Sequence, residues 1–250
     1  MKRVLVLSDL HCGHVMGLTP PRYHQHEYQE KFWEWFRTKV AVLGKVDVLV
    51  VNGDAIDGKN TKAGGQHIYE ASRIAQVDIA AECLSLVKAK RIYIVRGTEY
   101  HTGVEEDFEN ILSQQIGTDG VAYDALPINI GGLDFHFKHH TGNSSVPWTR
   151  GAAAVRSHVW QILERSLSGQ KTPPDVSVRS HVHYFVQTRS SLGTVLTTPA
   201  LQLSSSYGVR RCDGIHDVGF VYFDIENKNS WSLSLQQLRE VLPDQTVVVK

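Results

Sequence analysis

Arg3-Val4-Leu5-Val6-Leu7-Ser8-Asp9-Leu10-His11 is the stretch whose reading decides the fold. Its apolar run predicts a strand buried on both faces, the kind found in parallel sheets covered by helices. Polar residues follow at once, and two of them are a carboxylate and an imidazole two positions apart. Side chains just past the C-terminal end of such a strand point into the ligand crevice of an open α/β sheet.

The same grammar recurs four times downstream. A strand over residues 46–51 runs into Asn52-Gly53-Asp54. One over 91–95 runs into Arg96-Gly97-Thr98-Glu99-Tyr100-His101. One over 133–138, after the Gly131-Gly132 turn, runs into His139-His140. One over 176–178 is followed by Ser180-His181-Val182-His183. Helical spacing of Phe32, Trp35, Phe36, Val40 and Leu43 predicts a helix over 28–43. Ile74, Val77, Ala81, Leu84 and Val87 predict one face of a helix over 67–88. Further helices are expected over 105–115 and 152–167, and short strands over 184–188 and 194–198. A hairpin is expected from 218–225 and 231–235. The β-α-β-α-β start implies parallel pairing with right-handed crossovers. With no linker and no repeat, residues 1–250 read as one α/β domain: two sheets packed together with helices outside. Loops over 12–27, 55–66, 141–150 and 204–217 are candidates for substrate contact.

Composition narrows the function classes. Of 250 residues 42% are apolar, enough for a large core. Lys and Arg number 26, as do Asp and Glu, which argues against a general polyanion binder. Cys12, Cys83 and Cys212 are too scattered for a disulfide framework or a zinc ribbon, and a reducing, cytoplasmic setting fits. No run approaches the ~18 apolar residues of a membrane span, so no membrane association is expected.

Thirteen histidines are a surplus, and the strand ends say where they matter. Residues two apart on an extended backbone face the same side, so Asp9 with His11, and His181 with His183, can each grip one ion. Imidazole and carboxylate without thiolate suit divalent ions such as Mn, Fe, Ni or Zn. The donors exceed what one catalytic ion needs, so two ions sharing a carboxylate are expected, with manganese foremost. His24, His26, His67, His136, His158 and His216 are read as surface or loop residues, and His14 as a possible pocket residue.

This pattern resembles the calcineurin-like metallophosphoesterase superfamily, through Asp9-Leu10-His11, Gly53-Asp54, the Gly97-centred segment, His139-His140 and His181-Val182-His183. The resemblance implies a four-layer α/β/β/α sandwich of two mixed sheets and a dinuclear centre. Asp9, His11 and His183 would hold one ion, Asp54 would bridge, and His139 and His181 would hold the other, with His140 as the substitute for His139. The third motif departs from the family's Gly-Asn-His. Thr98 stands at the position of the Asn ligand and Glu99 at that of the His, with His101 two residues on; this resembles the Gly-Thr-x-x-His segment of phage-type members.

The expected activity is hydrolysis of a phosphodiester, nucleic acid among the candidate substrates, by hydroxide generated at the metals. His101 is expected to protonate the leaving group, and Arg96 or His101 to stabilise the equatorial oxygens. Arg150, Arg156, Arg210 and Arg211 are candidates for lining the cleft. Two other readings compete: a non-catalytic binding or scaffold protein with a degraded second metal site, and a metal hydrolase acting at an amide or ester carbon.

Overall fold

β1 (Lys2–Leu7) shows how one strand serves two cores. Its side chains alternate: Val4 and Val6 face a second sheet, while Leu5 and Leu7 face helices. A run apolar at every position is the consequence. The computed structural model describes residues 1–23, 26–60, 64–65, 67–102, 107–169, 173–204 and 216–239. After β1 come α1 (Glu27–Leu43), β2 (Val46–Asn52), α2 (Arg73–Ser85), β3 (Ala89–Val95), α3 (Glu99–Thr102) and α4 (Phe108–Gln115). β4 (Ala122–Tyr123), β5 (Leu126–Ile130) and β6 (Leu133–Phe137) precede a 3-10 turn at Pro147–Thr149 and α5 (Ala152–Leu167). β7 (Val176–Arg179), β8 (Val186–Ser190), β9 (Gly193–Thr197), β10 (Val218–Asn227) and β11 (Ser230–Leu238) complete the fold.

The strands form two mixed sheets, ordered β11-β10-β1-β2-β3-β4 and β5-β6-β7-β9-β8. In the first, β1 to β4 run parallel, and the β10–β11 hairpin adds antiparallel beside β1. In the second, β6, β7 and β9 are parallel, with β5 and β8 antiparallel at the edges. Val4, Val6, Val50, Phe135, Phe137, Val176, Val178 and Phe223 fill the space between the sheets. Phe32, Phe36 and Val40 of α1, Val77 and Leu84 of α2 and Leu112 of α4 cover the outer face of the first. α5 lies on the second sheet, where His158 accepts from the Ser177 hydroxyl at Nδ1 (2.8 Å) and donates from Nε2 to the Leu192 carbonyl (2.9 Å). The four-layer α/β/β/α order is as expected, and no helix among the described residues is long and apolar enough to cross a membrane.

Several local expectations need correction. α2 starts at Arg73 rather than 67, capped by Ser72, whose hydroxyl accepts from Ala75 N. Ile74 is exposed, and Gln76, Ala80 and Cys83 are buried instead. Gln76 needs that position because its side chain donates to Gly58 O and Glu70 O and accepts from Gly58 N. β4 and β5 were not anticipated; Pro127 and Asn129 interrupt the β5 pattern. His136 of β6 and His158 of α5 are buried rather than at the surface. Cys12 and Cys83 are buried free thiols. His24, Cys212, Arg210 and Arg211 lie outside the described residues, as do residues 61–63 and 66 of the 55–66 loop and 205–215 of the 204–217 loop.

Candidate metal centre

The backbone changes conformation where the strands end. Asp9, His11, Asp54, His181 and His183 have φ of 52°, 45°, 51°, 74° and 54°; Asn60 is the other non-glycine with positive φ among the described residues. The left-handed region costs a branched side chain on the order of 1 kcal/mol, and such strain gathers where function demands it. The paired residues therefore converge through left-handed turns, not through an extended backbone as the spacing suggested. Asp9 N donates to Gly53 O (3.0 Å) and His11 N to Asp54 O (3.1 Å), so the β1 and β2 ends brace each other. Gly97 is required by the same crowding: a Cβ there would collide with Asp54 Oδ1.

Three groups of donor atoms result, each with its atoms within 4.8 Å of one another: Asp9, His11 and His183; Asp54, His139 and His181; and His11, Asp54 and His101. Asp9 Oδ1 is buried, 3.2 Å from His183 Nε2 and 3.9 Å from His139 Nε2. Among the described residues no donor is aimed at it with hydrogen-bond geometry. Asp54 Oδ2 lies 2.9 Å from His139 Nε2 and 4.0 Å from His181 Nδ1.

Backbone and carboxylate acceptors settle how three of the rings are presented. A carbonyl can only accept, so His139 Nδ1 carries a proton to Asn52 O (2.7 Å) and His101 Nδ1 one to Asp57 O (2.7 Å). His11 Nδ1 donates to the Asp57 carboxylate at 3.0 Å. Each ring thereby turns its Nε2 toward the centre. Such outer acceptors are how proteins hold metal-binding imidazoles. The orphaned Asp9 oxygen and this donor set fit divalent cations.

The charges are tightly matched. Burial pushes Asp9 up, but His183 and His139 outweigh it and hold it at about 2. Burial likewise opposes Asp54, and His139 and His101 hold it well below the carboxylate range. Burial lowers His139, yet Asp54 and Asp9 raise it to about 10. His101 is kept below the usual imidazole value by its burial. Glu109 of α4, 1% exposed, is pushed up to about 8 by burial and by Asp54. Its Oε2 accepts from Gly97 N at 2.7 Å and so pins the third motif.

Of the expected residues, Asp9, His11, Asp54, His101, His139, His181 and His183 converge. Thr98 does too, but its N (2.7 Å) and Oγ1 (2.9 Å) donate to Asp54 Oδ1, and Oγ1 also to Oδ2 (3.0 Å). His140 is exposed, its ring 4.7 Å from that of His181, and belongs to none of the three groups. The expectation for Arg96 is not met: its guanidinium binds Asp107 (2.5 Å), Asp124 (3.1 Å) and Asn110 (3.3 Å). It ties the third motif to the start of α4. His14 is buried, accepting from Met16 N at 2.9 Å. Arg150 stacks over Tyr184, one residue past His183, whereas Arg156 lies on the exposed face of α5. Sequence reasoning missed Asp57 and Glu109; an Asp three residues after Asp54 was the available signal for the first.

The family model described as calcineurin-like phosphoesterase matches residues 2–185. Among solved structures, vacuolar protein sorting 29 from Cryptosporidium parvum aligns with a TM-score of 0.50 at 14% identity, covering 96% of this chain and 98% of that one. Vps29 from Chaetomium thermophilum gives 0.50 at 12% identity, covering 95% and 97%. An archaeal phosphodiesterase gives 0.48 at 13%, covering 94% and 99%. At such identities the likeness shows the fold alone. No curated protein matches the sequence.

Proposed function

The chain belongs to the calcineurin-like phosphoesterase family, and from that premise we propose that it hydrolyses phosphodiesters at a centre of two divalent ions, manganese foremost. The observation that carries this reading is the convergence of five left-handed Asp and His residues on buried, mutually matched donor atoms. In the proposed arrangement Asp9, His11 and His183 hold one ion, His139 and His181 the other, and Asp54 lies between. When bound, the ions supply Lewis acidity at phosphorus and acidify water for attack.

The rest is done by the chain. Asp57 and Asn52 hold the His11, His139 and His101 rings so that Nε2 faces inward. Burial keeps His101 neutral with its proton at Nδ1, so it offers a lone pair to the centre. It thus supplies the nitrogen ligand that Thr98 cannot, in place of the proton donor expected from the sequence. Thr98 instead orients both oxygens of Asp54. Substrate approaches from the side of His181 and His183, whose side chains are 27% and 16% exposed while the carboxylates are closed off. His140 and Arg150 stand on that rim and would meet the phosphate and its flanking groups. An open rim suits an extended substrate such as a nucleic-acid strand.

A chromogenic phosphodiester, a phosphomonoester and single-stranded DNA, each assayed with manganese, test the proposal. Turnover of a diester above the monoester supports it, and failure of all three with metal bound refutes it. The non-catalytic alternative draws on one observation, the hydroxyl of Thr98 where the family places an Asn ligand; tolerance of Asp54→Asn and His183→Ala in the cell would favour it.

A further inference from the structure

The two donor groups that would hold the ions each take atoms from both sheets. Asp9 and His11 follow β1 and meet His183, which follows β7. Asp54 follows β2 and meets His139 and His181, which follow β6 and β7. Their spacing therefore depends on how the end of one sheet sits against the end of the other. The apolar packing between the sheets is non-directional and does not by itself fix that register. At the strand ends it gives way to four buried polar residues, Ser8, Asn52, Ser180 and Thr198, none more than 1% exposed. Ser8 immediately precedes Asp9, Ser180 precedes His181, and Asn52 stands two residues before Asp54.

These four residues form one chain. Asn52 Nδ2 donates to Ser180 Oγ (2.7 Å), and Ser180 Oγ lies 2.7 Å from Thr198 Oγ1. Thr198 Oγ1 lies 2.8 Å from Ser8 Oγ, which donates to Pro199 O (3.2 Å). Run from an amide nitrogen that can only donate to a carbonyl that can only accept, the chain uses each hydroxyl once as donor and once as acceptor. Linked hydrogen bonds of this kind polarise and strengthen one another in a dry interior. Backbone groups reinforce them: Ser180 N donates to His139 O (2.8 Å), Leu201 N to Ser8 O (3.0 Å) and Thr198 N to Arg179 O (2.9 Å). Thr198 is the middle of the chain, yet it follows β9, a strand that supplies no member of the donor groups. Resting on the two-ion reading of the site, we propose that Thr198 is a positioning residue of the centre. Its hydroxyl joins the Ser8 end of β1 to the Ser180 end of β7 and so sets the distance between the donors of the two sheets. It acts through Asp9 and His181 rather than on ion or substrate.

Manganese calorimetry and urea unfolding of the same variants test the proposal. Thr198→Val keeps the shape and removes the hydroxyl; it should weaken manganese binding at least about tenfold. Ser8→Ala cuts the chain at its other link and should also weaken binding about tenfold. Thr198→Ser keeps the hydroxyl and should bind as wild type does. Ser177→Ala is the control. It deletes a buried hydroxyl of β7 that serves His158 instead, so it should lower the urea midpoint and leave manganese affinity unchanged. Should Thr198→Val fail to fold, Ser8→Ala decides alone. Full manganese affinity in folded Thr198→Val or in Ser8→Ala overturns the proposal. So does an equal loss of affinity in Ser177→Ala, or weakened binding in Thr198→Ser. Wild type that binds no manganese removes the two-ion reading itself, and the role of Thr198 with it.

Discussion

Asp57 Oδ1 stands 3.0 Å from His11 Nδ1, and Asp57 O stands 2.7 Å from His101 Nδ1, so one residue orients two of the inward-facing rings. Asp57 is therefore expected to govern affinity for the ions without touching them. Asp57→Asn should weaken metal binding by about ten- to a hundredfold while leaving the far-ultraviolet spectrum unchanged. Titration with manganese followed by calorimetry reads the affinity directly.

His101 and Thr98 are expected to differ in kind. If His101 Nε2 completes the donor set, His101→Ala should lose one of the two ions at concentrations that saturate wild type. Thr98→Ala should keep both ions, with a smaller loss in rate from a less well oriented Asp54. Equilibrium dialysis with metal analysis separates the two variants, and equal stoichiometry in both would remove His101 from the ligand set.

Metal binding should release protons. In the metal-free protein Asp54 and Asp9 raise His139 to about 10, so the ring is protonated at neutral pH and must give up that proton to bind an ion. Affinity should rise with pH from 6 to 9, and calorimetry in buffers of different ionisation enthalpy should show net proton release. The same shift fixes a sign for stability. A folded value above the unfolded ~6.5 contributes stability fully present below ~6.5, and that stability is lost as pH rises through about 10.

Glu109 carries the same sign in a lower pH window. Its carboxyl is pushed up to about 8, above the unfolded value of ~4.3, so the native state loses stability as pH rises from ~4.3 toward 8. Glu109→Gln keeps an acceptor for Gly97 N and has no charge to bury. Its stability relative to wild type should improve between pH 5 and pH 8, as read from urea midpoints; an unchanged difference would show that Glu109 is ionised at little cost.

Much of this architecture was legible because each chemical residue follows an apolar run. Leu7 to Asp9, Val51 to Asp54 and Val178 to His181 mark strand ends without any structure, and their order resembles one family. What stayed hidden depends on the third dimension. Left-handed φ at Asp9 or His183 is not written in the residue type, so the extended reading, though it paired Asp9 with His11 as found, paired His181 with His183, which fall in different donor groups. Glu109 looks like any helical glutamate until α4 buries it behind Asp54. The start of α2 was misplaced because residues 67–72 are held by contacts distant in sequence, Ile68 pairing in an isolated bridge with His14, before Ser72 caps the helix. Arg96 follows a strand end as Asp9 nearly does, but neighbouring acids claim it.

The central claim is that these donors form a hydrolytic two-ion centre, and the most direct test measures bound metal and phosphodiester turnover on the same sample. Manganese added stepwise to chelator-treated protein should bind to two equivalents, with turnover of a chromogenic phosphodiester appearing as the second fills. Asp54→Asn should lose both together, with the rate down by about three orders of magnitude or more. Two ions bound in wild type with no hydrolysis of any phosphoester, or turnover undiminished in Asp54→Asn, would contradict the account.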